Sequence, residues 1–406
     1  MKKIRDNIVL LGAMIISGCL FYALSGGIRS NYGLLENAIS HHSGLSYSSI
    51  SLILAIAQLS FGIMQPVYGV IALKRTNAFV LSLGAIMAGI GLMGIPFCHK
   101  LSTLILFLGL LLPIGLAAFS FGIIMGAITP ILGEQRAAAV SGFVSASSGI
   151  GNIILSPVLR MMLDQAGLWG AILSLSIPTF CLIPVALWLS RFINNSPGIK
   201  KNGHTLSIRA ALSVALSDRS YWFIIMGFFT CGFHMAIIET HLYSEFISYG
   251  FSAELIAYAF SLYGITTILG SVISGFLCSR FAMKRVLGYL YGSRTVLIIG
   301  FMLFPKSLLT IYGYAAVLGL TGAATVPPTS GLVNKLYGTI KLGTLFGVAF
   351  VAHQIGSFFS AWLGGLCLSF TGSCSLIWCT NAVLSLVAAT VSFFIKEKYK
   401  FKMGMS

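Results

Sequence analysis

The chain alternates long apolar stretches with short polar connections along its whole length. Each apolar stretch runs for about 20 residues, which is the length that an α-helix needs to cross the hydrocarbon core of a bilayer. Twelve such stretches are predicted, at residues 7–33, 48–72, 77–97, 102–128, 137–162, 167–190, 220–246, 254–279, 285–304, 308–333, 342–368 and 374–395. The pattern therefore predicts an all-α membrane protein with twelve transmembrane helices.

Composition and charge add an orientation to this picture. Hydrophobic residues make up 57% of the chain and charged residues 8%, whereas soluble domains carry about 25% charged residues. The net charge of +16 comes from small basic groups at the termini and in every second connection, such as Lys74–Arg75 and Lys284–Arg285. Lysine and arginine accumulate in cytoplasmic loops, so both termini are predicted to be cytoplasmic. No basic stripe is present, so the expected partner is the lipid bilayer and not a nucleic acid.

A weak internal repeat divides the chain into two halves. The segment Gly69–Arg75 after the second apolar stretch is matched by Gly275–Arg280 after the eighth. The longest polar stretch, residues 191–218, lies between the two copies. We therefore predict two pseudo-symmetric six-helix bundles, at residues 1–190 and 219–406, joined by a cytoplasmic linker at 191–218.

Two basic loops, six plus six helices and a cytoplasmic hinge together resemble the major facilitator superfamily. The segments 231–242 (CGFHMAIIETHL), 270–287 (GSVISGFLCSRFAMKRVL) and 353–365 (HQIGSFFSAWLGG) are similar to its bacterial monocarboxylate-transporter-like branch. The resemblance implies a multi-pass transporter of a small-molecule substrate in the bacterial inner membrane. A monomer without cofactor or metal is expected.

The loop motif of that superfamily is only partly present. It reads Gly-x-Leu-x-Asp-Arg-x-Gly-Arg-Lys, and the position of its aspartate holds Leu73 in the first copy and Ser279 in the second. The resemblance assigns a gating role to the remaining loop positions, which are Gly69, Lys74, Arg75, Gly275, Arg280 and Arg285.

Several polar residues interrupt the apolar stretches, where an ionisable group is costly and marks a candidate functional site. Counting about 1.5 Å per residue from the cytoplasmic ends places Arg294, His353 and His234 at similar depth, near the middle of the bilayer. Together with Arg29 and Asn152 they are the candidate substrate-binding residues. No acidic residue is predicted beside Arg294, so its guanidinium could pair with the carboxylate of an organic anion. The alternative is a structural arginine that binds backbone carbonyls, and Arg29 could simply extend toward the interface.

The candidate proton-coupling residues are His234, His353, Glu239 and His241. Imidazole titrates near neutral pH, which suits a proton carrier. His234 and His241 are seven residues apart and are expected on one helix face, whereas Glu239 points elsewhere. Glu239 and His241 are predicted near the outer interface, within reach of water. Each of the four could instead be a packing residue.

These expectations favour a secondary active transporter that moves an organic anion by alternating access, coupled to protons. The alternative is an efflux transporter that exports a siderophore, a peptide or a drug-like metabolite. An enzyme is not expected, because the chain has no HExxH, Walker-loop or GxSxG motif. The 8 cysteines form no CxxC pair, so neither a metal site nor a disulfide framework is expected.

Overall fold

The structure is a computed structural model that describes residues 2–132, 134–193 and 213–397. Within these ranges all regular secondary structure is helical. Most of the predicted linker at 191–218 lies outside the described residues, as do Met1 and residues 398–406. The side chain of Lys74 also lies outside them.

The long helices follow the predicted apolar stretches. Their bounds are Lys2–Ser30 (α1), Tyr47–Lys74 (α2), Asn77–Gly94 (α3), Leu101–Leu132 with interruptions (α4), Glu134–Ile193 (α5 and α6), Arg219–Thr240 (α7), Ala253–Arg280 (α8), Met283–Leu303 (α9), Leu308–Tyr337 with one interruption (α10), Thr339–Thr371 (α11) and Ser375–Phe393 (α12). Two shorter helices join long ones: Tyr32–Ser43, the 1–2 helix, and Leu242–Ser248, the 7–8 helix. The sequence analysis had assigned both short segments partly to spans and partly to loops.

Polar residues at the helix starts explain where the chain turns into a helix. The side chains of Ser46, Thr76, Asp218, Ser252 and Ser307 each accept a hydrogen bond from a backbone N–H of the first turn that follows. The first N–H groups of a helix have no partner within the helix, and such a cap satisfies one of them. These residues begin α2, α3, α7, α8 and α10.

A single glycine separates α5 from α6. The described residues contain 11 helical segments that are long and apolar enough to cross a membrane, and one of them, Val140–Trp188, is 49 residues long. Gly167 interrupts that segment with φ +60°, a backbone conformation that residues with a side chain rarely adopt. The segment therefore supplies two spans, which confirms the twelve-helix prediction.

Two other spans are irregular within their length. In α4, residues Ile105–Leu111 form a π-helix. In α10, the α-helix ends at Gly322, a 3-10 turn covers Ala323–Thr325, and a second α-helix begins at Val326. In the turn the Val326 N–H bonds the Ala323 carbonyl and not that of Gly322, which is thereby released. Pro327 and Pro328 follow at once, and because proline has no N–H to donate, they cannot bond the carbonyls of Ala323 and Ala324 four residues back.

The two halves, α1–α6 and α7–α12, meet along α2 with α11 and along α5 with α8. Glycine permits the close approaches: a Cβ atom on Gly149 of α5 would collide with the backbone of Gly264 in α8. Within the C-terminal half, a Cβ on Gly232 of α7 would collide with the His353 carbonyl in α11. Small residues at such contacts are typical of membrane helices, which associate by close packing.

We expect Gly232→Ala to lower the thermal stability of the protein in detergent by about 1–3 kcal/mol, because α7 and α11 must move apart to admit the methyl group. Gly122 is the matched control, since a Cβ there would meet nothing within 4 Å. Gly122→Ala should be neutral or raise stability by about 0.5–1 kcal/mol, through the better helix propensity of alanine. Equal thermal midpoints for the two variants would contradict the close α7–α11 contact.

The two ends of the molecule differ in character. At one, the basic end, Arg75, Arg280 and Arg285 are exposed. The connections there are shorter than predicted: Gly69 and Gly275 lie inside α2 and α8, so they are helical positions and not loop positions. At the opposite end, called the far end below, the 1–2 helix and the 7–8 helix cover the ends of the long helices.

Candidate functional site

A network of polar side chains crosses from one half to the other between α1, α2, α7 and α11. Arg29 on α1 donates through Nη2 to Gln58 Oε1 (2.9 Å) on α2 and to Glu239 Oε2 (3.3 Å) on α7. Gln58 Nε2 donates to the same Glu239 oxygen at 3.0 Å. From α11, Gln354 Nε2 donates to Gln58 Oε1 at 3.2 Å, and His353 Nδ1 donates to Gln354 Oε1 at 2.8 Å. These five residues are called the inter-half network.

The ion pair in this network is largely shielded from solvent. The side chains of Arg29 and Glu239 are 12% and 8% exposed, and the Arg29 guanidinium lies 4.1 Å from the centre of the Phe61 ring. Arg29 is one of the candidate substrate-binding residues, and the structure pairs it with Glu239. Because the two charges belong to different halves, any motion that separates the halves here must break the ion pair or neutralise one partner.

The guanidinium of Arg294 lies fully buried within the C-terminal half and does not touch an acid. Its Nη2 donates to the carbonyls of Thr321 and Gly322, each at 2.6 Å, which are the carbonyls released by the break in α10. Its Nε and Nη1 have no hydrogen-bond partner. Among the described side chains, no carboxylate forms an ion pair with it. Arg294 is thus half satisfied by backbone and keeps free donors that a carboxylate can accept from.

Two residues of α7 face the Arg294 region. His234 is fully buried, and its Nδ1 lies 2.7 Å from Asn381 Nδ2 on α12. The amide nitrogen is a donor, so Nδ1 accepts and the ring proton lies on Nε2, which has no partner. One turn earlier, Cys231 Sγ lies 3.2 Å from Thr325 Oγ1 in the break of α10. Both residues lie within the electrostatic reach of Arg294.

His353 links the Arg294 region to the inter-half network. Its ring packs between Phe228 and Phe350, with centroid separations of 5.0 and 4.9 Å. Its carbonyl contacts Gly232, next to Cys231, while its Nδ1 joins the network through Gln354. The His353 imidazole therefore has aromatic neighbours around its ring, while its Nδ1 contacts a polar side chain.

Asn152 lies apart from these two groups. It is 2% exposed, its Oδ1 has no partner, and its Cβ packs against Gly264 where α5 meets α8. It occupies the contact between the halves, but none of its recorded contacts joins it to the inter-half network.

The predicted water access of Glu239 and His241 is wrong. Glu239 is 7% exposed and His241 is 0% exposed. The 1–2 helix covers this part of α7, with Gly33 packed against the Thr240 carbonyl. His241 follows the last residue of α7 and contacts α2 and α11 through Tyr47 and Ala361, whereas His234 faces α12. The two histidines therefore do not act on a common face.

Two features were not predicted, although the sequence contains an indication of each. Glu36, an acid inside the apolar segment NYGLLENAIS, is fully buried in the 1–2 helix. The break in α10 supplies the backbone carbonyls that bind Arg294, and Pro327 and Pro328 indicate it in the sequence. Glu239 also borders a small pocket that it shares with Asn31, Ser156 and Phe260. Within the described residues, no group of three or more histidine, cysteine or acidic side chains converges as a metal site would require.

Comparison with known proteins places this arrangement in a family. The sequence matches the Major Facilitator Superfamily over residues 14–313 and 243–402. It is 25% identical to the uncharacterized MFS-type transporter YcxA of Bacillus subtilis, over 90% of this chain and 91% of that protein. It is 24% identical to monocarboxylate transporter 11 of Mus musculus, over 93% and 85% of the two chains. Probable transporter MCH2 of Saccharomyces cerevisiae is 22% identical, over 84% and 72%.

Solved structures support the same fold. The fucose:proton symporter FucP of E. coli superposes with a TM-score of 0.66 at 15% identity, covering 96% of this chain and 99% of that chain. An outward conformation of FucP gives a TM-score of 0.65. The relatives are transporters, a class without enzymatic chemistry of its own. The chain belongs to the major facilitator superfamily, among relatives that include monocarboxylate transporters, and is a multi-pass membrane transporter.

Proposed function

We propose that the protein is a secondary active transporter that carries a small organic anion across the bacterial inner membrane by alternating access, coupled to protons. Both termini lie in the cytoplasm in this proposal, and the monomer is the working unit. Relatives named as monocarboxylate transporters support an organic acid as the substrate class.

The buried charge in the middle of the bundle carries this proposal. The bundle interior holds two guanidinium groups, Arg29 and Arg294, and among the described acids Glu239 pairs with Arg29 and none pairs with Arg294. An uncompensated charge is costly in a water-poor interior, and a pairing anion relieves that cost. One bound carboxylate would balance the excess charge and accept from the free donors of Arg294. A cationic substrate would increase the excess of buried positive charge.

The side chains around Arg294 and His353 favour an organic acid with a small apolar group. Phe228 and Phe350 flank His353, and the Cys231 side chain lies beside the break in α10. An apolar group gains by leaving water for such a surface, while the carboxylate requires the guanidinium. Short monocarboxylates combine the two features.

In this proposal, transport is coupled to protons through the Arg29–Glu239 ion pair between the two halves. Glu239 holds Arg29 while the halves are in contact. A proton on Glu239 would remove its charge and release Arg29, so that the halves can separate around the site. His353 and His234, close to the two cations, are the further candidates for moving the proton.

The proposal is tested with purified protein in liposomes. Uptake of radiolabelled short-chain monocarboxylates is measured with and without an inward proton gradient, beside empty liposomes and a cationic amine of similar size. We expect saturable uptake of at least one monocarboxylate that the gradient accelerates, and no uptake of the amine. Transport confined to neutral or cationic compounds would overturn the anion assignment, and uptake indifferent to the gradient would overturn the coupling.

A further inference from the structure

A second buried cluster joins the two halves at the far end. It consists of Glu36 on the 1–2 helix, Tyr47 and Ser51 at the start of α2, His241 after α7, and Ala361 on α11. Glu36, Ser51 and His241 are all fully buried. The first three residues belong to the N-terminal half and the last two to the C-terminal half. Opening the far end must therefore pull this cluster apart.

The contacts of His241 show which of its ring nitrogens carries a proton. Its Nε2 lies 2.7 Å from the Ala361 carbonyl, which can only accept, so Nε2 carries a proton and donates. Its Nδ1 lies 2.9 Å from the Tyr47 hydroxyl, which can donate to it. A neutral imidazole satisfies both contacts, and in that form it presents no proton to Glu36 Oε2, which lies 3.8 Å from Nδ1.

Glu36 then needs a proton of its own. Its Oε1 lies 2.6 Å from Ser51 Oγ, and that hydroxyl also lies 2.9 Å from the Tyr47 carbonyl. Ser51 has one hydroxyl proton, so it can donate to only one of these two oxygens. If the carboxyl group donates to Ser51 and Ser51 donates to the carbonyl, both short contacts are hydrogen bonds. Oε2 accepts no hydrogen bond in either form, and burying it in this way costs more when the carboxylate is charged.

We propose that Glu36 is a proton-binding residue of the far end: the closed far end holds one proton on the Glu36 carboxyl group, and opening releases it. The proton goes to water on the far side as the carboxyl becomes hydrated, and it is taken up again from that side on closure, so the opening of the far end is linked to the pH on that side. This step rests on the alternating access proposed above, and it places a pH-sensitive residue outside the central site.

Burial raises the pKa of the Glu36 carboxyl from 4.5 to about 8, against a smaller opposing effect of the neighbouring Ser51 and Tyr47 hydroxyls. A carboxyl whose pKa is raised in the closed form stabilises that form at low pH. This stabilisation is complete below about 4.5 and disappears as the pH rises through about 8. The closed-to-open ratio should therefore fall roughly tenfold per pH unit between these values.

The other ionisable groups around the 1–2 helix do not replace Glu36 in this role. The titratable groups that face it are Tyr47 from α2, His241 after α7 and Cys374 at the start of α12. Charged groups on the neighbouring elements are engaged elsewhere: Arg29 with Glu239, Arg160 with Asp164, and Glu245 with Trp378 and Tyr249. The His41 and His42 side chains, further along the same helix, are exposed.

The test measures the width of the far end directly. Spin labels are attached to genetically encoded amino acids at His41 and Ser248, which are exposed and lie on opposite halves, so all 8 cysteines remain. Double electron–electron resonance then gives the distance distribution in nanodiscs from pH 5 to pH 9, without substrate. The wild type is expected to gain a longer-distance population as the pH rises. Glu36→Gln is expected to keep the short distance throughout.

Two further variants sharpen the result. Glu254→Gln, an exposed acid at the start of α8, should behave as the wild type. His241→Gln can still donate to Ala361 and accept from Tyr47, so it should retain the pH dependence and keeps the test valid if Glu36→Gln does not fold. A wild-type distance that ignores pH, an unchanged pH response in Glu36→Gln, or its loss in His241→Gln would each overturn the inference. Because no substrate is present, these outcomes are independent of whether the anion transport proposed above is found.

Discussion

Arg294→Leu is expected to abolish transport of the native anion while the protein still reaches the membrane. The variant removes the buried guanidinium whose Nε and Nη1 are free to donate to a carboxylate. A hydrogen bond to a charged group contributes about 1.5–3 kcal/mol, so losing two of them should weaken apparent affinity by roughly 100-fold or more. Initial rates of uptake into liposomes over a range of substrate concentrations measure the effect.

Two variants separate this role from a structural one. Arg294→Lys keeps the charge but loses the planar fork, so it should retain weak transport with a raised KM. Arg160→Gln removes an arginine that pairs with Asp164 at the partly exposed end of α5, and it should transport normally. Substrate should also raise the thermal midpoint of the wild type and not that of Arg294→Leu. Undiminished uptake by Arg294→Leu would remove the assignment.

Arg29→Met is expected to destabilise the protein by about 3–5 kcal/mol, because it leaves the Glu239 carboxylate buried without its cation. The double variant Arg29→Met/Glu239→Gln should recover most of that loss, since no uncompensated charge remains. Thermal unfolding in detergent of the wild type, both single variants and the double variant gives the coupling energy between the two side chains.

The exposed pair Arg160–Asp164 provides the comparison for this cycle. Its side chains are 32% and 54% exposed, so the same kind of double substitution should reveal a coupling below about 1 kcal/mol. If the Arg29–Glu239 coupling is equally small, the ion pair does not hold the two halves together.

The spans could be predicted because bilayer thickness imposes a length on every helix. Even the division of the 49-residue segment Val140–Trp188 was predicted at the right place, since Gly167 follows a polar group of residues. The position of Arg294 about halfway along α9 could be counted from the helix start for the same reason. The backbone carbonyls that bind Arg294 could not be predicted, because they depend on how the break in α10 is oriented toward α9.

The contacts across the molecule could not be read from the sequence. Arg29 and Glu239 are 210 residues apart, and Gln58 and Gln354 are 296 apart. Which side chains meet at such distances depends on helix rotation and tilt, and packing sets these. The predicted first span ends at residue 33, so hydropathy leaves most of the 1–2 helix in a connection and cannot foresee that this helix covers Glu239 and buries it.

The π-helical stretch Ile105–Leu111 determines how α4 can be altered. A π turn accommodates one residue more than the regular winding, and one residue corresponds to about 100° around the axis. Because the wide turn absorbs this residue, the following segment keeps its direction, with Leu112 and Leu116 buried and the Leu112 backbone against Gly91. Deleting one residue from the stretch would regularise the helix and leave this buried edge in place. A one-residue shortening should therefore be tolerated far better here than in a regular part of the helix.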